Sequence, residues 1–284
     1  MVFNFIVLLN HKVSRLLLFS FFLLTFFIPA YAAVFQWTDA EGKRYFSDKP
    51  HQGAKVFQLD KNFTYHKVKK VYDGDTVLLT NGKKIRFLGI NTPEVEGRNK
   101  SEQAGGEEAK RWLIQRLRNR KVRLDVDVEK KDKYGRLLAH IFTEDKQHIN
   151  LELVQQGLAS VSIYPPNLKY TQQLLKAEQQ AEQNQLGIWR YQQYVPKQVE
   201  EIKQGRFKGW QRVVGKVSDI HHTRKNSYLK LSNNFSIKIN KKALIFFPEL
   251  EKYEGKEIEV RGWINKYKGN YNLLVRHPSA IKIK

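Results

Sequence analysis

The sequence predicts a mainly β protein of the α+β class with two five-stranded barrels, the second smaller than the first. Apolar and polar residues alternate in several short runs, for example in "KVRLDVDVEKKDKYGRLLAHIFTED" (121–145), and this alternation is typical of half-buried strands. Helical periodicity follows the first strands, which indicates helices packed on a strongly bent sheet. From about residue 205 the alternation returns and predicts a C-terminal barrel. The 284 residues are enough for two such domains.

The N-terminal residues predict an exported protein. The apolar run "LLLFSFFLLTFFI" (16–28) is shorter than the ~20 residues of a membrane span, and the small-x-small pattern "AYA" (30–32) follows it. We therefore expect a signal peptide over 1–32 and a periplasmic or secreted protein with no stable membrane span after cleavage. An uncleaved anchor is the alternative, because the first ten residues are also apolar. The chain has no cysteine, which excludes a disulfide framework.

Residues 33–63 predict a small N-terminal module. Turn signals at "DAEG" and "DKPHQG" separate aromatic residues, as in a hairpin followed by a proline-containing loop. We expect Trp37, Tyr45 and Phe46 to form its small core. The patterns "W-x-D-x-x-G" and "FSD-x-P" resemble a short module of unknown function in exported proteobacterial proteins. This resemblance implies export but no chemistry.

Residues 64–190 predict the first barrel and its helices. Strands over 68–72 and 76–80 flank a tight turn, and "TNGK" turns the chain into a strand over 83–90. A helix over 101–119 follows, with Ser101 as a possible cap and a buried stripe. We expect that stripe to contain Ala104, Ala109, Leu113, Ile114 and Leu117. Two further helical segments follow, and we expect the last to end at Gly187.

The stretch "VYDGDTVLLTNGKKIRFLGINTPE" (71–94) gathers acidic side chains in a basic protein. Asp75 follows a glycine turn at a strand end, and the Pro-fixed bend in "NTPE" turns Asn91, the Thr92 carbonyl and Glu94 toward the same mouth. Oxygen ligands of this kind suit Ca²⁺, Mg²⁺ or another hard divalent cation, whereas a zinc site is poorly supplied. The alternative is that Asp73 and Asp75 only form an Asx turn.

The charge balance predicts a polyanionic partner. Lys and Arg number 50 against 28 Asp and Glu, a net charge of +22. Each phosphate that such a surface neutralises releases a counterion, so DNA and/or RNA is the expected partner. A solvated basic surface and attraction to anionic lipid, as in a structural cell-envelope protein, are the alternatives. The sequence indicates no obligate protein partner, and we expect a monomer.

Six motifs over 64–190 carry a specific resemblance. They are "VYDGDTV", "RFLGINTPE", "DKYGRLLAHI", "LVQQGLA", "YPPN" and "AEQNQLGIW". Their order and spacing resemble the staphylococcal nuclease (thermonuclease) family. The resemblance implies an OB-fold-like barrel and a divalent-metal-dependent endonuclease that hydrolyses phosphodiester bonds of DNA and/or RNA and leaves 3′-phosphate ends.

The resemblance also implies a role for each matched position. Asp75, Asn91 and the Thr92 carbonyl would hold the cation, with Asp73 behind them. Glu94 would act as general base on the attacking water, and Arg86 and Arg136 would bind the phosphate. Further positions would contact the substrate or shape its loop, namely Lys133, Tyr134, Tyr164 and the cis residue Pro166. We interpret His140 and His148 as structural.

One position departs from the family pattern. The family usually has aspartate in "GIDTPE", where this chain has Asn91. The amide oxygen is still a hard ligand, but the site has one negative charge fewer, and ligand charge controls Ca²⁺ affinity. We therefore expect weaker metal binding or a different preferred metal. The alternative function is a catalytically weak or inactive extracytoplasmic nucleic-acid-binding protein.

Residues 205–284 predict the second barrel, after a polar linker over 191–204 that could be a partly helical tether. Five strands and one short helix, "FFPELEKY", are expected. The residues expected to face inward are Val213, Val217, Leu229, Leu231, Ile237, Ile239, Ile258, Val260, Leu274 and Ile281. "VVGKV", "GKEIEVRGWI" and "LLVRHPSAI" resemble an oligonucleotide-binding (OB) fold.

The C-terminal segment also mixes basic and aromatic residues, as a base-stacking platform does. The aromatic residues concerned are Tyr228, Phe235, Trp263, Tyr267 and Tyr271. For Phe235 and Trp263 we favour a place in the barrel core instead. Because the segment shows no metal or catalytic cluster, we expect it only to bind nucleic acid.

Overall fold

The computed structural model describes residues 35–39, 43–56, 63–96, 102–203 and 209–284. These residues divide into two compact units, one before and one after the boundary between Asn62 and Phe63. Both predicted domains, 64–190 and 205–284, lie in the second unit. The predicted signal peptide lies outside the described residues. Among the residues that are described, no helix is both long enough and apolar enough to cross a membrane.

The first unit contains a three-stranded antiparallel sheet in the order β2-β1-β3. Its strands are β1 (Phe35–Thr38), β2 (Arg44–Ser47) and β3 (Lys55–Val56). The Trp37 ring stacks on Tyr45 and His51, with centroid distances of 5.6 and 4.3 Å. Phe46 is exposed, so its predicted core position is wrong. It follows Tyr45 directly in the strand and therefore faces the opposite side.

The second unit begins with the predicted first barrel, which is closed by hydrogen bonds in the order β4-β5-β6-β9-β8. Its strands are β4 (Tyr65–Asp73), β5 (Thr76–Leu79), β6 (Lys84–Phe87), β8 (Lys121–Asp125) and β9 (Leu137–Thr143). The strand predicted over 83–90 is divided. After β6 the chain leaves the barrel, and β7 (Ile90–Asn91) pairs with β10 (Ser160–Val161) instead.

Three α-helices cover this barrel, and their apolar faces share its core. They are α1 (Gly106–Leu117), α2 (Ile149–Gln155) and α3 (Thr171–Gln183). Helix α1 buries Ala109, Leu113 and Leu117, which are spaced by four residues on one face, whereas Ile114 is exposed. Ala104 precedes the helix, and the proposed cap at Ser101 lies outside the described residues.

Helix α3 ends at Gln183, so the predicted end at Gly187 is wrong. Gly187 instead begins a 3₁₀-helix (Gly187–Arg190) and has a positive φ of 51°. A Cβ atom at this position would lie 2.3 Å from the carbonyl oxygen of Gly157. The glycine is therefore required by close backbone packing rather than by helix capping.

The C-terminal part forms an eight-stranded sheet in the order β11-β12-β16-β17-β15-β14-β13, with β18 paired to β16. The strands are β11 (Lys197–Gln198), β12 (Gly209–Lys216), β13 (Asp219–His222), β14 (Asn226–Ser232), β15 (Phe235–Asn240), β16 (Glu257–Tyr267), β17 (Asn270–Val275) and β18 (Ile281–Ile283). The hydrogen bonds do not close this sheet, so the predicted second barrel is not confirmed. The protein is nevertheless mainly β with few helices, as predicted.

The core of this sheet follows the predicted alternation with one error. Nine of the ten residues expected to face inward are buried, and Leu274 is not. Tyr271, Leu273 and Val275 point inward instead, because a shift of one residue moves a side chain to the other face. The segment predicted as a short helix, 246–253, contains a 3₁₀-helix over Leu250–Tyr253. Another 3₁₀-helix, Lys241–Phe246, precedes it and ends at the first residue of that segment.

The segment predicted as a linker is folded over its described residues. It contains a 3₁₀-helix (Gln192–Tyr194), strand β11 and helix α4 (Val199–Lys203). Val199 and Ile202 pack into the core of the C-terminal sheet, and Tyr194 packs against Trp210. The segment therefore joins the two parts of the unit by packing and not as a free tether.

Candidate active site

The turn between β4 and β5 places the first acidic residues. A Cβ atom on Gly74 would lie 2.7 Å from the Cβ atom of Ala109 and 2.7 Å from the Cγ2 atom of Thr92. The missing side chain thus lets the turn pack directly against α1 and against Thr92. As a result, Asp75 and Thr92, which are 17 residues apart, come into contact.

The Asp75 carboxylate is buried and held by three groups. Its Oδ2 accepts a hydrogen bond from the Thr92 backbone N–H at 2.9 Å and forms an ion pair with Arg86 Nη1 at 2.9 Å. Its Oδ1 accepts from the Thr76 hydroxyl at 3.0 Å. The backbone N–H of Asp75 donates to Asp73 Oδ1 at 3.1 Å. The predicted Asx turn therefore exists, and the Asp75 carboxylate also contacts Thr76, Arg86 and Thr92.

Hydrogen bonds link Arg86, Asn91 and the Thr92 carbonyl to the Asp75 group. Arg86 Nη2 donates to Asn91 Oδ1, and Asn91 Nδ2 donates to the Thr92 carbonyl oxygen, both at 3.2 Å. The Ser160 hydroxyl in β10 fixes Asn91 from behind by donating to its backbone carbonyl. The three oxygen donors predicted for a cation therefore lie in one hydrogen-bonded group around one guanidinium.

The chemistry of this group fits a hard divalent cation. Burial and, after it, the charge of the Asp75 carboxylate raise the pKa of Asp73 to about 6, although the Arg86 guanidinium opposes this shift. A cation near the two carboxylates would relieve their repulsion. No cluster of three or more His, Asp or Glu side chains in the described part of the chain forms a metal site by itself. The amide oxygen of Asn91 and the carbonyl of Thr92 would therefore be needed as ligands.

Gln103 holds the loop that carries Glu94, and the sequence analysis did not identify it. Its Oε1 accepts from the Glu94 backbone N–H at 3.0 Å, and its own backbone N–H donates to the Glu94 carbonyl at 2.9 Å. Gln103 precedes α1, whereas Glu94 follows β7. The two residues lie at opposite ends of the connection between β7 and α1, and no pattern in the sequence indicates this contact.

Arg136 lies directly before β9 and is fixed by Asp132. Its Nε donates to Asp132 Oδ2 at 2.6 Å and its backbone N–H donates to Oδ1 at 3.0 Å. Burial alone would raise the pKa of Asp132, but these donors lower it. Asp132 was not predicted, although its place as the first residue of the "DKYG" turn is a recognisable Asx-turn signal.

One cavity of about 530 Å³ collects most of the predicted site. Eight of the ten predicted site residues line it, namely Asp73, Asp75, Arg86, Asn91, Thr92, Glu94, Tyr134 and Arg136. Thr76, Lys84 and Trp263 complete the wall. The cavity therefore combines carboxylates with basic and aromatic side chains, which is a suitable lining for an anion that binds beside a cation.

Two predicted substrate contacts lie outside this cavity. The Lys133 ammonium lies 4.9 Å from the ring centroid of the exposed Tyr134. Tyr164 lines a neighbouring cavity of about 340 Å³, and the Arg276 guanidinium lies 4.5 Å from its ring centroid. The peptide bond between Pro165 and Pro166 is cis, as the resemblance implied.

Trp263 shows where the sequence interpretation was wrong. Phe235 is buried in the core as expected, but Trp263 is 40% exposed and faces the cavity. Ile258 and Val260, in the same strand as Trp263, point into the core of the C-terminal sheet. Because side chains alternate along a strand, Trp263 lies on the opposite face. Of the other aromatic residues predicted to form a stacking platform, Tyr271 is buried and Tyr267 is exposed.

Comparisons with known proteins match both units of the chain. The family described as staphylococcal nuclease homologue matches residues 84–191, and a domain of unknown function (DUF4124) matches residues 21–62. The second match confirms the predicted N-terminal module of unknown function. The first covers three of the five barrel strands and all three helices of the barrel.

Individual relatives extend the first match. Thermonuclease of Staphylococcus intermedius is 39% identical over 125 residues, which are 43% of this chain and 74% of the relative. Thermonuclease of Staphylococcus hyicus is 39% identical over 127 residues, 44% of this chain and 75% of the relative. Endonuclease YncB of Bacillus subtilis (strain 168) is 37% identical over 131 residues, 44% of this chain and 62% of the relative. The chain therefore belongs to the staphylococcal nuclease homologue family.

Proposed function

We propose that this protein is an exported, divalent-metal-dependent nuclease that hydrolyses phosphodiester bonds of DNA and/or RNA. One observation carries the proposal: Arg86, Arg136 and Glu94 line the same cavity as the oxygen donors suited to a cation. The names of the relatives, thermonuclease and endonuclease, support the same class of reaction. Endonucleolytic cleavage to 3′-phosphate ends and export are further parts of the proposal.

The basic residues of the cavity bind and orient the phosphodiester. This group is already anionic, so a nucleophile approaches the phosphorus only when positive charge offsets the repulsion. Guanidinium groups match two phosphate oxygens at once and stay protonated. Asp132 orients Arg136 by accepting a hydrogen bond from the Arg136 Nε atom. Lys84 adds a further positive charge to the cavity wall.

Arg86 has a second function before substrate binds, because it neutralises the acidic group. It pairs with Asp75 and donates to Asn91. We infer that binding of a phosphate draws part of this guanidinium away from those oxygens toward the substrate. Asp75, Asn91 and the Thr92 carbonyl would then hold Ca²⁺, Mg²⁺ or another hard divalent cation. Such a cation supplies Lewis-acid stabilisation of the negative charge that develops on the phosphoryl oxygens.

Glu94 accepts the proton of the attacking water in this proposal. Its carboxylate lines the cavity, and Gln103 fixes its backbone from both sides. A general base has to be held within hydrogen-bond distance of the water, and a rigid backbone is one condition for this. Deprotonation produces the hydroxide that attacks phosphorus, while Arg86 and Arg136 donate hydrogen bonds to the non-bridging oxygens. The bond between phosphorus and the 5′-oxygen breaks as the new P–O bond forms, so the phosphate stays on the 3′-oxygen, and the departing 5′-oxygen takes a proton from water.

A nucleic-acid-binding protein without useful catalytic activity is the second candidate. It is favoured by Asn91, which contributes no charge, and by the Arg86 guanidinium, which already provides a positive charge beside Asp75. The basic cavity would still bind phosphate in this case. The two candidates differ in whether metal leads to cleavage.

The experiment uses the purified chain with plasmid DNA and, separately, single-stranded RNA. Ca²⁺ and then Mg²⁺ are added, with a chelator as control, and the ends of the products are analysed. We expect metal-dependent fragments with 3′-phosphates. Glu94→Gln should abolish them, whereas Glu96→Gln, the same change at an exposed position two residues away, should not. If the protein binds both nucleic acids but neither metal produces fragments, the second candidate is correct.

A further inference from the structure

The wall of the candidate active site contains a residue from beyond the C-terminal end of the matched family region. Trp263 belongs to β16 of the C-terminal sheet, whereas the family match ends at residue 191. Its side chain is 40% exposed and lines the cavity of about 530 Å³ together with Glu94, Arg86 and Tyr134. The C-terminal sheet is therefore part of the site.

Trp263 lies close to the loop of the proposed general base. A Cβ atom placed on Gly209 would lie 3.7 Å from Cζ3 of Trp263 and 3.5 Å from Nε2 of Gln103. Gln103 in turn holds the backbone of Glu94. One glycine thus separates the indole ring from the glutamine that fixes Glu94, and the ring and Glu94 line the same cavity.

The same tryptophan also lines the neighbouring cavity of about 340 Å³. Tyr164, Asn265 and Arg276 are further members of that cavity. Tyr164 is 48% exposed, and the guanidinium of Arg276 lies over its ring. Because Trp263 belongs to both cavities, the two cavities adjoin each other at this residue.

A buried ionic cluster fixes Trp263 in this position. Arg261, two residues earlier in β16, pairs with Glu178 and Glu182 of α3 at 3.3 and 2.7 Å. Arg212 in β12 pairs with the same Glu182 and with Glu259, the latter at 2.8 Å. Both arginines are buried. The C-terminal sheet is therefore held against α3, so the indole ring has a defined place over the cavity.

We propose that Trp263 is a base-stacking residue of the active site and that it binds one nucleobase of a single-stranded nucleic acid next to the scissile phosphate. This inference rests on the proposed nuclease function. An indole ring stacks on any base, but only on one that is not stacked within a duplex. The adjoining Tyr164 and Arg276 offer an aromatic face and a positive charge to the following nucleotide.

The test measures binding separately from cleavage. A fluorescent single-stranded DNA oligonucleotide is titrated in chelator and followed by anisotropy for the wild type, Trp263→Ala and Trp263→Phe. We expect Trp263→Ala to weaken binding roughly tenfold to hundredfold, and Trp263→Phe to restore most of the affinity. Ile245→Ala, an exposed apolar position of the same sheet domain, is the matched control and should have no effect.

An abasic scan distinguishes stacking from a structural role. Single abasic sites are placed along the oligonucleotide, and the affinity loss at each is compared between the wild type and Trp263→Ala. Stacking predicts one position whose loss is present in the wild type and absent in the variant. An identical scan in both proteins, or unchanged affinity of Trp263→Ala, overturns the proposal. Because no cleavage is measured, an inactive enzyme that still shows this coupling contradicts only the nuclease proposal.

Discussion

Arg86 contacts two of the predicted cation ligands at once, with Nη1 2.9 Å from Asp75 Oδ2 and Nη2 3.2 Å from Asn91 Oδ1. One guanidinium charge therefore faces one carboxylate and one neutral amide. A phosphate would compete with these oxygens for the guanidinium, and a divalent cation would compete with the guanidinium for the oxygens. The balance of charge around Arg86 should consequently control both metal binding and turnover.

Asn91→Asp should strengthen metal binding. The substitution adds a negative charge at an oxygen that already accepts a hydrogen bond from Arg86 beside Asp75, and ligand charge controls the affinity for Ca²⁺. We expect the half-saturating Ca²⁺ concentration for cleavage to fall on the order of tenfold. Asn81→Asp, the same change in the exposed turn before β6, is the control. An unchanged or higher metal requirement in Asn91→Asp would show that residue 91 is not a ligand.

Arg136→Ala should lower turnover by roughly 10²-fold, as the loss of a transition-state hydrogen-bond donor does. Arg136→Lys should recover little, because an ammonium group cannot bind two phosphate oxygens in the same plane. Steady-state kinetics separates the effect on kcat from that on KM. Arg120→Ala removes an exposed arginine that pairs with Asp145 and should leave both constants unchanged. Equal kinetic constants in Arg136→Ala and Arg120→Ala would show that Arg136 does not contribute to catalysis.

Arg261→Met should destabilise the second unit strongly. The buried Glu178 and Glu259 would each lose a partner, and breaking a buried ion pair from one side typically costs about 3–5 kcal/mol. Burial already raises the pKa of Glu178 despite the arginine, so the carboxylate would become still easier to protonate. Urea unfolding measures the loss, with the exposed Arg190→Met as the control. A loss no larger than that of the control would mean that the cluster does not hold the sheet.

Two buried histidines should make the fold sensitive to mild acid. His140 Nδ1 lies 3.1 Å from His148 Nε2, and burial lowers the pKa of His140 to about 4 and that of His148 to about 3. The unfolded chain binds these protons near pH 6.5 but the native protein does not. The free energy of unfolding should therefore fall as the pH decreases from 6.5 toward 4, by up to about 1.4 kcal/mol per pH unit for each histidine.

Denaturant unfolding at pH 7 and pH 5 measures this dependence. His148→Gln removes one of the two titrating groups, so its stability should change less between the two pH values than that of the wild type. An equal change in both proteins would indicate that His148 is already protonated in the native state or is not buried. Above pH 6.5 neither histidine should contribute a slope.

Local patterns in the sequence were sufficient to predict most of the strands and site residues of the first barrel domain, 64–190. Alternation identified the strands of the barrel, and the two turns "DGD" and "NTPE" indicated side chains that the structure brings into one cavity. The motifs identified the family. The errors at Ile114, Leu274 and Phe46 were of a single kind, because each residue was placed on the wrong face of its helix or strand. A short apolar run does not determine which of its residues face the core.

The sequence by itself thus determined the family, the mainly β class and the residues that converge beside Asp75, because strand alternation, turn chemistry and motif spacing are local properties. Only the tertiary structure decided that the C-terminal sheet lies against α3 and that Trp263 enters the cavity. Arg261 and Glu178 are 83 residues apart. Such contacts depend on which surfaces pack against each other, and the local hydrophobic periodicity of the sequence does not specify this.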